Sequence, residues 1–223
     1  MSSYNNLASL AALAGLQPTP SPQPIKREVF ISSFHDGNEQ EVNHFIYKWA
    51  NVEGVFTPKA LGAFHNDDFI DSNNPEYVMS EIRRKYLGNA SVTIVLVGRC
   101  THSRRYVDWE IKSSLRCGEN TPNGLLAYVL PSAMPPAHDL YGQPIEYTQR
   151  AWPALPPRLA ANWNYFDQQN CYARYYVPPT SADELRHHID LAVWDRTHRD
   201  HLIKNSSDMM QNNAKCLVCD VWH

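Results

Sequence analysis

The sequence lacks an excess of charge of either sign. Its 223 residues include 20 Lys and Arg and 23 Asp and Glu, which gives a formal net charge of -3 at pH 7. No overall positive field therefore draws the chain towards nucleic acid or an anionic membrane surface. A local basic patch remains compatible with this balance, but a protein whose main partner is a polyanion is disfavoured.

A long apolar run is also missing near the start of the chain. Residues 7–16 (LASLAALAGL) are apolar, but a run of this length is too short to span a bilayer, and the first basic residue is Lys26. The run therefore lacks the positive region of a signal peptide. We interpret residues 1–24 as a flexible tail that ends in the proline-rich linker 17–24, and we expect the folded domain to start near Ile25. A cytoplasmic protein without a membrane partner is predicted.

The sequence also lacks the cysteine pattern of a disulfide-bonded protein. The number of cysteines is odd and their positions are scattered, which is unlike a disulfide framework and indicates a reducing compartment. The cysteines are Cys100, Cys117, Cys171, Cys216 and Cys219.

Two of these cysteines lie in a spacing that is compatible with zinc. His198 and His201 form H-x2-H, Cys216 and Cys219 form C-x2-C, and His223 lies beyond them. The order differs from common zinc fingers, and such spacing arises easily in a chain with 10 histidines. We therefore predict no metal site.

What the sequence does contain is an alternation of strand and helix patterns. Residues 91–97 (SVTIVLV) form an uncharged β-branched run, which is typical of a central parallel strand buried on both faces. Val42, Phe45, Ile46 and Trp49 lie on one face of a helix. The predicted strands are residues 28–34, a short strand within 51–75, 91–97, 125–130 and 174–177. The predicted helices are residues 39–50, 75–87, 104–116 and a last helix that starts at the capping box Ser181 and Glu184.

Loops and caps complete the prediction. Ser103 is the expected N-cap of the helix at 104–116, and Gly118 is its expected C-cap. Residues 131–162 are rich in proline and should form a long insertion along the surface. Alternating strands and helices predict an α/β fold with a mainly parallel sheet. In a flavodoxin-like strand order, loops 33–38 and 98–103 would face a ligand-binding crevice, and the helix after the second loop would carry Glu110.

Two segments resemble the TIR-like proteins of Thoeris antiphage systems. They are VFISSFHD (29–36) and SVTIVLVGRCTHSRRYVDWEIKSSL (91–115). The resemblance implies a TIR-like domain over residues 25–198 with its core at 27–130, followed by a C-terminal extension at 199–223. It also implies an enzyme that cleaves NAD, its substrate and not a bound cofactor, into a cyclic or otherwise modified ADP-ribose signal. A phage-derived trigger and an effector switched on by this signal are the implied partners.

Within RRYVDWEI, the arginine pair, the aromatic residue and the Glu-Ile pair of the family place the catalytic glutamate at Glu110. The chemistry fits a carboxylate at this point. Nicotinamide leaves as a neutral molecule, and positive charge develops on the ribose. A fixed carboxylate stabilises that charge, by roughly 10² to 10³ in rate if it matches known electrostatic sites of the opposite sign.

The other predicted site residues bind the nucleotide. Backbone N–H groups of the first loop and the following helix N-terminus favour a pyrophosphate, and Phe34 offers a ring for stacking. Arg105 is equally compatible with a solvated first helical turn, and Tyr106 with packing. The predicted substrate-binding residues are Ser33, Phe34, His35, Asp36, Arg99, Arg105 and Tyr106.

Two other functions remain open at this point. The chain would be a non-catalytic TIR-like binding or adaptor module if Glu110 were an ordinary surface residue. A flavodoxin-like flavin binder is the weakest alternative, because the sequence contains no dedicated flavin signature. The sequence leaves open self-association and whether water or a group of the nucleotide attacks the ribose.

Overall fold

The computed structural model describes residues 26–60, 72, 74–116, 121–134, 138, 141, 143–144, 155–217 and 219–222. The predicted tail 1–24, the Gly118 cap, Cys117, His223 and most of the proline-rich segment 135–154 lie outside the described residues.

The centre of the molecule is a parallel sheet of five strands. The strands are β1 (Arg27–Ser33), β2 (Phe56–Ala60), β3 (Val92–Val97), β4 (Gly124–Val129) and β5 (Arg174–Tyr176). Their order is β2-β1-β3-β4-β5, and every pairing is parallel. All residues of β3 are buried, as its uncharged sequence predicts. The α/β, flavodoxin-like prediction is confirmed.

Helices cover both faces of this sheet. They are α1 (His35–Ile46), α2 (Pro75–Ile82), α3 (Arg105–Ser114), α4 (Pro157–Asn162) and α5 (Ala182–His198). α1 and α2 continue as π-helical turns, Tyr47–Val52 and Arg83–Leu87. Short 3-10 turns lie at Thr101–Ser103, Pro131–Ala133, Tyr165–Asn170 and Asp200–Leu202. None of the described helices is both long and apolar enough to cross a membrane.

The two faces have separate cores because side chains alternate along each strand. On one face, α1 and α5 pack against side chains such as Ile31, Ile94 and Tyr128. The predicted α1 face, Val42, Phe45, Ile46 and Trp49, is buried there. On the other face, α2 packs against Phe30, and α3 and α4 pack against Val95 and its neighbours. α3 therefore crosses the sheet on the side opposite α1.

The start of α3 differs from the prediction. The N-cap position belongs to Arg104, which has extended backbone geometry, and Ser103 lies in the preceding 3-10 turn. The Ser103 hydroxyl instead donates to the Cys100 carbonyl oxygen at 2.8 Å. The backbone N–H of Arg105 donates to Asn213 Oδ1 at 3.0 Å, so a distant residue satisfies an amide that a local cap was expected to serve.

The end of the proline-rich region also differs from the prediction of a surface insertion. Residues 157–162 form α4, which has a proline at its first helical position, and Leu159 is fully buried against α3. Arg158 is 2 % exposed and forms an ion pair with Asp108 of α3. The prediction of a surface insertion is therefore wrong at residues 157–162, because its many prolines do not prevent a short helix that is part of the core.

Residues 203–222, which we call the C-terminal segment, run along α3. The Trp109 indole donates to the Met210 carbonyl oxygen at 2.9 Å, and the Ala214 N–H donates to the Ser103 carbonyl oxygen at 2.9 Å. Lys112 Nζ donates to the Ser207 carbonyl oxygen at 2.9 Å. The predicted extension at 199–223 is thus packed on the domain over much of its length.

Candidate active site

Glu110 lies beneath the carboxyl end of β1. Phe30 and Ser32 share one face of this strand, and α3 packs on that face. Ser32 Oγ donates to Glu110 Oε2 at 2.5 Å. Ser32 is fully buried and Glu110 is 6 % exposed. The carboxyl group therefore points towards the sheet edge where the crevice was expected, and away from bulk solvent.

Burial dominates the electrostatics of Glu110. Removal from water raises its pKa from 4.5 to about 8, and the hydrogen bond from Ser32 offsets part of that rise. Among the residues that the structure describes, no cation within ion-pair distance stabilises the charged form. Burial therefore favours the protonated form of this carboxyl group, and a cation close to it would favour its ionisation.

The loop after β3 touches the first turn of α1. A Cβ atom at Gly98 would lie 1.9 Å from Asn38 Oδ1, so only glycine permits this close approach. Gly98 N–H donates to Thr101 Oγ1 at 2.8 Å, which closes the loop into a tight turn. Asn38 Nδ2 donates to Ser132 Oγ at 2.8 Å. Contacts of Asn38 thus join the residues that follow β1, β3 and β4.

Phe34 and Arg104 are in contact between the end of β1 and the start of α3. Phe34 follows β1 directly, and the Arg104 guanidinium carbon lies 3.6 Å from the centre of its ring. Arg104 is 6 % exposed, so the stacked pair is largely shielded from water. The predicted ring for nucleotide stacking thus already has a planar cation on one side.

The remaining residues of the first loop occupy the expected place in the chain. Ser33 ends β1 opposite Leu96 of β3 and is half-buried. His35 and Asp36 form the first residues of α1, and their side chains lie outside the described part of the chain. Their roles in substrate binding stay predictions.

The predicted residues on the α3 side do not all converge on Glu110. Arg99 is exposed in the loop after β3. Arg105 Nη1 donates to the Gln211 carbonyl oxygen at 3.4 Å, so this side chain contacts the C-terminal segment. Tyr106 is half-buried against Trp109, with the ring centres 5.1 Å apart. Substrate contacts by these residues stay predictions, and Arg104 is the arginine that the structure places beside Phe34.

Two residues of the site, Ser32 and Asn38, were missed from the sequence, and Arg104 was considered only as one of the arginine pair of the family motif. Ser32 was accessible to simple reasoning, because strand alternation puts it on the same face as Phe30. The choice between Arg104 and Arg105 depends on the start of α3, which the wrong Ser103 cap obscured. Asn38 lies in the predicted loop 33–38, but its contact with Gly98, 60 positions later, could not be predicted from the local sequence.

The arrangement of histidine and cysteine differs from the zinc spacing in the sequence. His198 stacks on Trp194 with ring centres 4.3 Å apart, and its Nδ1 lies 2.8 Å from the Trp194 carbonyl oxygen. Cys216 and Cys219 instead lie beside Cys100, in the loop after β3. Among the described residues, the two halves of the H-x2-H and C-x2-C pattern do not form one cluster.

Comparison with known proteins agrees with the geometry. No curated protein matches the chain. The family model described as the TIR-like domain of the Thoeris protein ThsB matches residues 30–133. This match includes Ser32, the loop after β3 and the whole of α3. Over residues 30–133, the chain is therefore similar to the TIR-like domain of the Thoeris protein ThsB.

Proposed function

We propose that this protein is an NAD-cleaving enzyme that uses Glu110 to break the bond between nicotinamide and ribose. The family match supports involvement in Thoeris antiphage defence. In that setting the product would be a cyclic or otherwise modified ADP-ribose that activates a partner effector after a phage-derived trigger. The observation that carries the proposal is the buried Glu110 carboxyl group, held by Ser32 at the carboxyl end of β1.

In this scheme the substrate supplies a positive charge beside the carboxyl group of Glu110. The nicotinamide ring of NAD is a cation, and a cation close to a buried carboxyl group lowers its pKa and favours the carboxylate. As the bond breaks, the positive charge moves from the ring to the ribose carbon and ring oxygen, and nicotinamide leaves neutral. A carboxylate fixed beside the ribose stabilises this transition state more than the ground state. Because nicotinamide leaves as a neutral molecule, no general acid is needed.

Ser32 acts as a positioning residue in this scheme. Its hydroxyl donates to one carboxylate oxygen and leaves the other, Oε1, for the ribose. A hydrogen bond to a charged acceptor is worth about 1.5 to 3 kcal/mol, so it favours the ionised carboxyl group over the neutral one. Ser32 is also at the buried end of a central strand, which fixes the donor with little motion.

The loops around the crevice suit the anionic part of NAD. The N-terminus of α1 at residues 34–36 presents backbone N–H groups, which favour a pyrophosphate. Arg104 adds a positive charge at the same edge, above Phe34. These contacts support a nucleotide with its phosphates near α1 and its nicotinamide riboside near Glu110.

Nicotinamide release tests the proposal. The full chain is incubated with NAD, with and without extract of phage-infected cells, and nicotinamide and nucleotide products are identified by mass spectrometry. We expect release by wild type and by Glu53→Gln, an exposed control, and a decrease of at least about a hundredfold in Glu110→Gln.

Two results would contradict this proposal. Full activity of Glu110→Gln would show that another residue carries the chemistry. Folded wild type that releases no nicotinamide under any trigger would favour the non-catalytic binding module instead.

A further inference from the structure

Three cysteine sulfurs meet between the loop after β3 and the C-terminal segment. The Sγ atom of Cys216 lies 3.1 Å from that of Cys100, and the Sγ atoms of Cys100 and Cys219 are 3.3 Å apart. All three atoms lie within 4.8 Å of one another. These distances exceed the roughly 2.05 Å of a disulfide bond, so the sulfurs are in contact without being bonded.

The backbone around Cys216 and Cys219 forms a tight turn that directs both side chains to one side. The Asp220 N–H donates to the Cys216 carbonyl oxygen at 2.9 Å, and the Cys216 N–H donates to the Val221 carbonyl oxygen at 3.0 Å. Asp220 has a φ of 60°, which is the left-handed conformation that such a reversal requires. The C-x2-C spacing inside this turn is typical of metal-binding cysteine pairs.

The cluster is shielded and is anchored to the loop that carries Cys100. Cys216 is fully buried, and Cys100 and Cys219 are partly buried. The Leu217 N–H donates to His102 Nε2 at 3.1 Å, which fixes the turn against the same loop. The place of the sulfurs therefore depends on both segments, 116 positions apart in the chain.

We propose that Cys100, Cys216 and Cys219 form a structural site for zinc, with a nitrogen or oxygen ligand in the fourth position. Thiolates are strong ligands for zinc, and structural zinc is bound tetrahedrally at Zn–S distances of about 2.3 Å. Tetrahedral geometry then separates neighbouring sulfurs by about 3.8 Å. The two separations of 3.1 and 3.3 Å need to open by only about 0.5 to 0.7 Å. A disulfide, by contrast, would use two of the three sulfurs and leave the third beside it.

The metal would tie the C-terminal segment to the loop after β3. This loop, residues 98–104, contains Arg99 and Arg104 and leads directly into α3. Because the ligands come from distant parts of the chain, the free energy of metal binding adds to the free energy of folding. The site stands apart from the proposed reaction, and its presence does not depend on NAD cleavage.

Metal content is the first test. The full chain is produced with added zinc, purified under reducing conditions without chelator, and analysed by inductively coupled plasma mass spectrometry. We expect about one zinc per wild-type chain and per chain of Cys171→Ser, a buried cysteine outside the cluster. The double variant Cys216→Ser/Cys219→Ser should lose at least about nine-tenths of it. Zinc-free wild type after loading, or full zinc content in the double variant, would overturn the proposal.

A second test uses wild type alone, so it does not depend on how the variants fold. Cobalt(II) loaded in place of zinc should give the visible bands of a tetrahedral site together with thiolate-to-cobalt charge transfer. A thiol-blocking mercurial should release the bound zinc, detected with a colorimetric chelator. Absence of the charge-transfer band would overturn the site. The site would also be overturned if the intact mass, after treatment with reductant, stayed two hydrogens below the mass of the fully reduced chain, since this difference marks a disulfide.

Discussion

Two buried carboxyl groups of α3, two positions apart in the sequence, have opposite surroundings. Asp108 is 2 % exposed and accepts from Arg158 Nε at 2.9 Å, from Arg158 Nη2 at 3.3 Å and from the Met210 N–H at 3.0 Å. Glu110 is 6 % exposed and accepts from the Ser32 hydroxyl. Asp108 thus has a bidentate arginine, and Glu110 has a neutral donor.

The difference separates a carboxylate that holds the fold from one that is free to respond to a ligand. Removing one partner of a buried ion pair is strongly destabilising, because the other charge is left buried without compensation. A buried carboxyl group without a cation is costly to ionise, and such groups concentrate at functional sites. Asp108 fastens α3 to α4 and to the C-terminal segment, whereas the charged form of Glu110 would gain from the positively charged substrate that we propose.

The largest effect is expected from removing the partner of Asp108. Arg158→Met leaves a buried, uncompensated carboxylate, which should lower the free energy of unfolding by about 3 to 5 kcal/mol. Urea denaturation measures this change. The double variant Asp108→Leu/Arg158→Met removes both charges and should recover most of the loss. A single variant that unfolds within about 1 kcal/mol of wild type would show that the pair does not hold the helices together.

Glu110→Gln should instead increase the free energy of unfolding, and the size of the increase should depend on pH. Because the folded pKa of about 8 lies above the unfolded value of 4.5, the folded wild type binds the proton more tightly. The stability that this proton contributes to the folded state is therefore fully present below pH 4.5 and is lost as the pH rises through about 8. Glutamine has no proton to lose, so the variant should gain up to about 1.4 kcal/mol over wild type per pH unit in this window.

Denaturation of both proteins at several pH values checks this prediction. Glu53→Gln, which changes an exposed carboxylate outside the site, serves as the matched control. A constant difference between Glu110→Gln and wild type across the window would contradict the raised pKa.

Ser32→Ala should affect catalysis through the pKa of Glu110. Loss of the hydroxyl removes the interaction that lowers this pKa, so the value should rise further, by about one to two pH units. If NAD cleavage is the activity, the profile of kcat/KM, which reports the free enzyme, should move to higher pH. Ser32→Thr should restore the wild-type profile. A lower melting temperature together with an unchanged pH profile of kcat/KM would show that Ser32 has a structural role only.

The smallest effect is expected at the start of α3. Asn213→Ala removes the side-chain oxygen that accepts from the Arg105 N–H, and loss of such a cap costs about 1 kcal/mol. Asn213→Asp keeps an acceptor beside the positive end of the helix and should retain wild-type stability. Hydrogen exchange in the first turn of α3 and urea denaturation measure the two outcomes. Equal stability of the alanine variant would show that water replaces the cap.

The predictable parts of the fold are those with a local pattern. The uncharged run 91–97 identified the central strand, and the spacing of Val42, Phe45, Ile46 and Trp49 identified the buried face of α1. The parallel order followed from strands alternating with helices, since the sheet must be covered on both faces. Glu110 was chosen by family motif, and burial of its side chain was not visible in the sequence.

The features that escaped prediction connect distant positions. Asp108 and Arg158 are 50 positions apart, Arg105 and Asn213 are 108 apart, and Cys100 and Cys216 are 116 apart. Periodicity describes neighbours along a helix or strand and contains no information about such pairs. The wrong Ser103 cap has the same origin, because the true partner of the first amide belongs to the C-terminal segment.

The position of that segment gives the protein an order of assembly. Residues 30–133 leave the ribosome before residues 203–214, and chains begin to fold from the part made first. During synthesis, α3 can pack on β1 while its first amide and the carboxylate of Asp108 still lack the partners that arrive later. The helix that carries Glu110 can thus complete its contacts only after Asn213 has been synthesised, so its first turn stays without a partner until late in synthesis.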